Sequence, residues 1–409
     1  MTETLADTSA ESPEYPAPRA AGCPFDPAPA LRDLQADKPL SRVRIWDGTS
    51  PWLVTRHDHL RALLGDPRIS ADPGSPGYPH TTAAAKSNFR TRRSFITMDD
   101  PEHARLRRMV TAPFAIRRIE ALRPSIQKIV DDRIDTMLAG SGPVDLVEEF
   151  ALPVPSLVIC ELLGVPYEDH DFFQRNTKVL VRRTSTPEDV LAASDALTGY
   201  LDDLLSAKRV RPGDDLLSTL ATERVDTGQL TRHEAARTGV LLLAAGHETT
   251  ANMIALGTLA LLHHPDQLAL LRDTEDPGTV AGAVEELLRY LTIVHSGRRR
   301  AALADIEIDG QVIRAGDGVV FAGEVANRDP EAFPDPDRLD LTRDARRHVA
   351  FGYGVHQCLG QPLARVELQV VYGTLYRRIP TLALATDVDR LRFKHDGFVY
   401  GVHELPVTW

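Results

Sequence analysis

Apolar residues recur every three to four positions along most of this chain, and that period predicts a mainly α protein. Helices are expected at 101–113, 116–138, 145–163, 168–182, 187–209, 214–222, 231–263, 266–273 and 278–291, and another begins just after Cys358. Pro153-Val154-Pro155 should bend the third of these near its start. Stretches of strand-like pattern are fewer. Residues 43–46 and 52–55, joined through Asp47-Gly48, read as a hairpin, and 306–308, 312–313 and 319–321 form a second β-rich block. The tail from Leu391 to Trp409 reads as further strands around Asp396-Gly397. Residues 70–97 lack a steady period and are expected to form one long loop. The smaller β region therefore draws on both ends of the chain, so residues 23–409 are read as one domain.

Two stretches interrupt this pattern with candidate chemistry. The 231–263 helix opens on Thr231-Arg232-His233-Glu234, which suits a reciprocal N-terminal cap. It is then apolar on nearly all sides, so it should cross the molecular interior. His247, Glu248, Thr249, Thr250 and Asn252 at its middle make a membrane span costly. Gly246 weakens the helix there, and Thr249 or Thr250 can bond back to a carbonyl one turn earlier. The second stretch runs from Phe351 to Gly360, with Gly352, Gly354 and His356 ahead of Cys358. A cysteine so close to a helix N-terminus meets free amide N–H groups that favour its thiolate. Glycines at 352, 354 and 360 let a flat, wide ligand lie against the main chain. The structural alternative is a capping loop around a buried, inert thiol.

Composition narrows the picture. With 409 residues, 43% of them hydrophobic, the chain can bury a large core. A formal charge of -11 argues against a nucleic-acid binder. Cys23, Cys160 and Cys358 are odd in number and far apart, which argues against a disulfide framework and fits a reduced cytoplasm. Residues 1–22 are rich in Pro, Ala and acids, with neither a basic start nor an apolar run. They are expected to be a disordered tail, not a signal or membrane anchor. Lys86, Arg90, Arg92 and Arg93 make the 70–97 stretch basic, either as a solvated face or as a lid that prefers polar or acidic ligand groups.

The cysteine stretch resembles the haem-binding loop of cytochrome P450, Phe-Gly-x-Gly-x-His/Arg-x-Cys-x-Gly, and meets every fixed position. The resemblance implies the cytochrome P450 fold, haem b (iron protoporphyrin IX) as cofactor, and Cys358 as the axial thiolate on iron. Ala245-Gly246-His247-Glu248-Thr249 is similar to the family's oxygen-binding motif, which implies that both Glu248 and Thr249 are catalytic: Thr249 steadies the iron-bound oxygen species and Glu248 helps relay protons to it. Gly246, Phe351, Gly352 and Gly360 are then cofactor contacts, and His103, Arg107, Arg300 and His356 hold the propionates. Glu286 and Arg289, with Arg338, resemble the family's bracing triad. Substrate contacts are implied for the 70–97 loop, residues 179–183, Ala244, residues 293–296 and residues 398–400; His80 would reach iron only if the loop collapsed inward.

The chain is thereby identified as a member of the soluble actinobacterial monooxygenases that oxidise lipophilic small molecules with O2. A macrolide, polyketide or terpenoid is the expected substrate class. Implied partners are a ferredoxin and a ferredoxin reductase, with arginines 107–108, 117–118 and 346–347 as a docking face or as solvated surface. A cytoplasmic monomer that binds neither membrane nor nucleic acid is expected. A peroxide-driven peroxygenase and a non-catalytic haem-binding partner protein are the alternatives.

Overall fold

A reciprocal cap starts the helix Arg232–His263: Glu234 N–H donates to Thr231 Oγ1 at 3.1 Å, and Thr231 N–H donates to Glu234 Oε2 at 2.8 Å. In this computed structural model, which describes residues 12–20, 23–89, 93–140 and 142–409, that helix is the axis of the molecule. Its 32 residues span about 48 Å at about 1.5 Å each. Every side chain from Ala251 to Leu261 is buried, because the helices Pro153–Leu163, Pro187–Val210, Pro277–Leu291 and Gln361–Arg378 pack around it. Gly257 sets one of these approaches. Tyr372 Oη donates to the Met253 carbonyl at 2.5 Å, and a Cβ at 257 would lie 1.9 Å from the Tyr372 hydroxyl oxygen. The helix behind Cys358 is thus held directly against the central helix.

The other helices follow the apolar period closely. The expected bend before Pro153 is a π-helical turn, Val147–Ala151, after which Pro153 occupies the first turn of the next helix. Among the described residues, no helix is long and apolar enough to cross a membrane.

A five-stranded sheet flanks the helices in the order Leu40–Arg42, Trp52–Val54, Gly318–Phe321, Arg298–Ala302, Ile69–Ser70. Trp52–Val54 runs parallel to Gly318–Phe321, and Arg298 pairs antiparallel with Phe321. Val319, Val320 and Phe321 are fully buried, as an interior strand requires. The hairpin is present, but its first strand is Leu40–Arg42, ahead of the expected 43–46. The strand Arg298–Ala302 was hidden in the sequence by three consecutive arginines. The C-terminal tail contributes the strand Pro406–Thr408, paired with Val144–Asp145 and Ala383–Leu384, whereas Asp396-Gly397 is a turn flanked by isolated bridges.

Two expectations are corrected. The 70–97 stretch contains a helix, Ala83–Asn88, capped by Thr82 Oγ1, which accepts from Ala85 N–H at 3.0 Å. Its alanine-rich sequence has no apolar period, so only the cap announced it. The expected disordered tail is packed where it is described. Tyr15 is buried and donates to Glu324 Oε1 at 3.1 Å, and Arg19 donates to the Leu291 and Thr292 carbonyls at 2.8 and 2.9 Å. An aromatic ring and a guanidinium that find buried acceptors outweigh the low hydrophobicity of the segment. Residues 1–11 and 21–22 lie outside the described residues, as do Arg90 and Arg92.

Candidate active site

The cysteine loop is shaped by short backbone bonds. Gly352 N–H donates to the Val349 carbonyl at 2.8 Å, Gln357 N–H to Gly354 at 3.0 Å, and Cys358 N–H to Phe351 at 2.9 Å. Gly352 and Gly354 adopt φ of +77° and +74°. Both give neighbouring protein groups room for close approach. A Cβ at 352 would meet Arg298 Nε at 3.0 Å, and one at 354 would meet the Leu64 carbonyl at 2.3 Å. Of the three loop glycines only Gly360 lines the central cavity, beside Phe351, His356 and Cys358.

Cys358 is open to that cavity. Burial pushes its thiol up, against the pull of the Gly360 and Gln361 amides and of Arg298 and Arg107, and burial prevails.

The opposite wall comes from the central helix. Gly246, Thr249, Thr250 and Met253 line the cavity with Cys358. Thr249 bonds back to the Ala245 carbonyl at 2.7 Å. A second, distal cavity of about 430 Å³ adjoins the first across Ile96, Leu241, Ala245 and Thr249. Pro73, His80, Leu180, Ala244 and Phe398 line it as expected, while Ile293 and Val294 border the central cavity instead. His80 packs edge-on to Tyr78 with ring centroids 5.2 Å apart, on the distal wall away from Cys358.

Glu248 borders the distal cavity and also an outer, polar one that contains Lys178, Lys394 and His403. Burial raises its carboxyl, but Lys394 Nζ at 3.2 Å, His247 and the Asn252 amide outweigh that and keep it ionised. His247 is fixed between the Leu243 carbonyl at 2.8 Å and Thr177 Oγ1 at 3.2 Å, a structural role.

Cations gather at one edge. His103 and His356 stand with ring centroids 4.1 Å apart, and burial with Arg300, His103 and Arg107 pushes the His356 imidazole down to about 3. Arg107 lines the cavity and donates to the Gln357 carbonyl at 2.7 Å, so it is not part of an outward arginine pair. Arg300 donates to the Arg299 carbonyl at 2.7 Å. Arg298, which sequence reasoning missed, projects from the same strand into the cavity wall. It donates to Ala350 at 2.6 Å, and burial lowers its guanidinium to about 10. His103 Nε2, His356 Nδ1 and Arg298 Nη1 are buried with no hydrogen-bond partner. Unpaired buried nitrogens, a guanidinium donor among them, beside the Arg107, Arg298 and Arg300 charges suit an anionic group that can hydrogen-bond to them. A planar group with two carboxylates and a metal facing one sulfur answers that need, so the residues fit a haem.

The loop is braced from behind. Glu286 and Arg289, both fully buried, form a bidentate pair at 2.7 and 2.8 Å. Their third member is Arg343, whose Nε lies 3.2 Å from Glu286 Oε1, and not Arg338. Arg338 supplies only its carbonyl, to Arg289 at 3.3 Å. A second brace went unread: Arg365 bridges Glu285 at 2.6 Å and covers the Phe351 ring at 4.7 Å. His348 and Arg365 hold the Glu285 carboxyl down at about 2 although burial raises it.

The family model described as Cytochrome P450 matches residues 279–395. Cytochrome P450 GfsF of Streptomyces halstedii is 58% identical over 100% of both chains. The 20-oxo-5-O-mycaminosyltylactone 23-monooxygenase of Streptomyces fradiae is 47% identical over 96% of this chain and 92% of its own. The crystal structure of the mycinamicin VIII C21 methyl hydroxylase MycCI of Micromonospora griseorubida superposes with a TM-score of 0.91 at 43% identity, covering 97% of this chain and 100% of that one. With Cys358 facing the central helix across a cavity that Arg107 and Arg298 line, and with such likeness to these enzymes, the chain belongs to the cytochrome P450 family of haem b monooxygenases.

Proposed function

We propose that this monooxygenase takes electrons from NAD(P)H through a ferredoxin reductase and a ferredoxin, and inserts one oxygen atom into a C–H or C=C bond of a large lipophilic natural product. In this reading it works as a cytoplasmic monomer on a macrolide, polyketide or terpenoid. The named activities of its relatives on mycinamicin VIII and 20-oxo-5-O-mycaminosyltylactone support that class. Cys358 would ligate the haem iron when the cofactor is bound. Phe351, Gly360 and Gly246 line the haem, Gly352 gives Arg298 room, and His103, Arg107, Arg298, Arg300 and His356 hold its propionates. The haem, when bound, supplies the O2-activating chemistry, which the sulfur's electron donation promotes.

The protein's share is proton delivery and exclusion of water. Glu248, an ionised carboxylate beside Lys394, takes protons from water in the outer cavity. It passes them toward Thr249 Oγ1, one residue on and on the wall that both inner cavities share. Leu241, Val399 and Phe398 keep the distal side apolar and orient the substrate. The observation that carries this reading is that Glu248 lines both the distal cavity and the one holding Lys394, next to Thr249. Turnover tests it: oxygenated product is expected with ferredoxin, reductase and NADPH. Product with peroxide alone, unaffected by Glu248→Gln, contradicts it.

Exposed Arg108, Arg117, Arg118 and Arg346, with exposed Ile116 and Val355, offer an acidic ferredoxin a docking face near the cysteine loop. Added salt is expected to slow ferredoxin-dependent reduction, because exposed charges are screened beyond about 10 Å at 0.1 M salt. Reduction that ignores salt contradicts electrostatic docking.

A further inference from the structure

Among the described residues, the distal cavity is lined by one arginine, Arg237, whose purpose the oxygen chemistry does not explain. Arg237 lies on the same face of the central helix as Leu241, Ala244, Ala245 and Glu248, and it lines the cavity at the end remote from Cys358. Twelve residues separate it from Thr249, which is about 18 Å along the helix at about 1.5 Å per residue.

Its Nε donates to the Arg93 carbonyl at 3.1 Å, which fixes the plane of the guanidinium. Neither Nη group has a hydrogen-bond partner among the described residues. The nearby side chains of Ser94, Ser194 and Thr198 are neutral. Burial lowers the Arg237 guanidinium, with exposed Asp195 opposing. Arg93 is occupied elsewhere, paired with Asp72 at 2.9 Å. The other carboxylate on the cavity wall, Glu248, is eleven residues away and already paired with Lys394. A half-buried guanidinium that reaches a mostly apolar cavity with both Nη groups unpaired and accessible is free to take an acceptor that enters the cavity from outside the chain. A planar fork of donors fits a carboxylate best.

We propose that Arg237 anchors the substrate, and that the substrate is an elongated lipophilic molecule with a carboxylate at the end far from the oxidised carbon. This deepens the monooxygenase reading and rests on it. The anchor and the reacting end lie about 18 Å apart, so the enzyme selects by length as well as by charge.

ω-Imidazolyl alkanoic acids of graded chain length test this in the haem-loaded full chain. The imidazole reports on iron through a shift of the Soret band, and the carboxylate probes Arg237. Each acid is compared with the imidazolyl alkane of the same length. In the wild-type protein the acid is expected to bind about tenfold more tightly than the alkane, the weight of one charge-assisted pair, with the advantage peaking at one length. Arg237→Met is expected to abolish the advantage while leaving alkane binding unchanged, and Arg237→Lys to restore part of it. An unchanged acid-to-alkane ratio in Arg237→Met overturns the proposal. So does an equal loss for both ligands, which would make Arg237 a latch for the 93–97 segment. Absence of any Soret shift with the alkane would instead count against the haem reading itself.

Discussion

The two walls of the catalytic chamber are built in opposite ways. The proximal wall is a single run of ten residues, 351–360, whose shape follows from three backbone hydrogen bonds and two glycines at positive φ. The distal wall is assembled from 73–89, 94–97, 180–181, 194–198, 237–249 and 398–399, six segments from across the chain. Chemistry common to a family needs one invariant geometry, and local bonds supply it. Selection among substrates needs a surface whose parts can change separately, and a distributed wall supplies that. A change in the proximal wall or its braces should therefore remove function outright, and one in the distal wall should redirect it.

The largest effect is expected behind the proximal wall. Arg289→Ala takes the bidentate partner from the fully buried Glu286 carboxylate and leaves it Arg343 at 3.2 Å and the Asp340 N–H at 3.0 Å, a loss of up to about 5 kcal/mol. Denaturant unfolding should show that loss together with failure to retain haem; a stable, haem-replete variant would break the comparison. Next comes Thr249→Ala on the central helix. Product formation should fall by at least about tenfold while NADPH oxidation continues and peroxide is released. Unchanged coupling would remove Thr249 from the proton path.

The sheet floor carries a pH signature of intermediate size. Burial raises the Glu324 carboxyl to about 7, and the Tyr15 hydroxyl and the Arg19 and Arg298 charges offset this only in part. Its folded value lies above its unfolded one, so the favourable neutral state is fully present below the usual carboxylate range. Stability is then lost as pH rises from about 4.5 through about 7, by at most about 3 kcal/mol. Glu324→Gln should flatten that slope, and thermal unfolding at pH 5 and pH 8 measures it. Smallest is Phe398→Ala in the distal wall. Substrate affinity should drop by no more than about tenfold and the ratio of oxidised positions should shift, with haem content intact. Loss of haem there would erase the distinction between the walls.

How much of this could be read beforehand follows the same division. The helices were legible because each buries one continuous stripe, and the central helix because its cap and its interrupted apolar run stand together at Thr231–Glu234 and His247–Asn252. The cysteine loop was legible because its geometry is local. Arg298 was missed because a strand of three arginines carries no apolar alternation, and only packing tells which of them turns inward. Arg343 was mistaken for Arg338 for a similar reason, since nothing in the order of residues says which side chain folds back toward Glu286. The helix 83–88 and the packed segment 12–20 depend on partners far away in the chain, and Tyr15 meets Glu324 only once the sheet exists.

The central claim is that Cys358 ligates haem iron from the proximal wall. Carbon monoxide added to the reduced, purified protein tests it most directly. The wild-type protein and Cys160→Ala should both give the absorbance band of thiolate-ligated iron, and Cys358→Ala should lose it. A band that survives in Cys358→Ala, or that disappears in Cys160→Ala alone, would contradict the account.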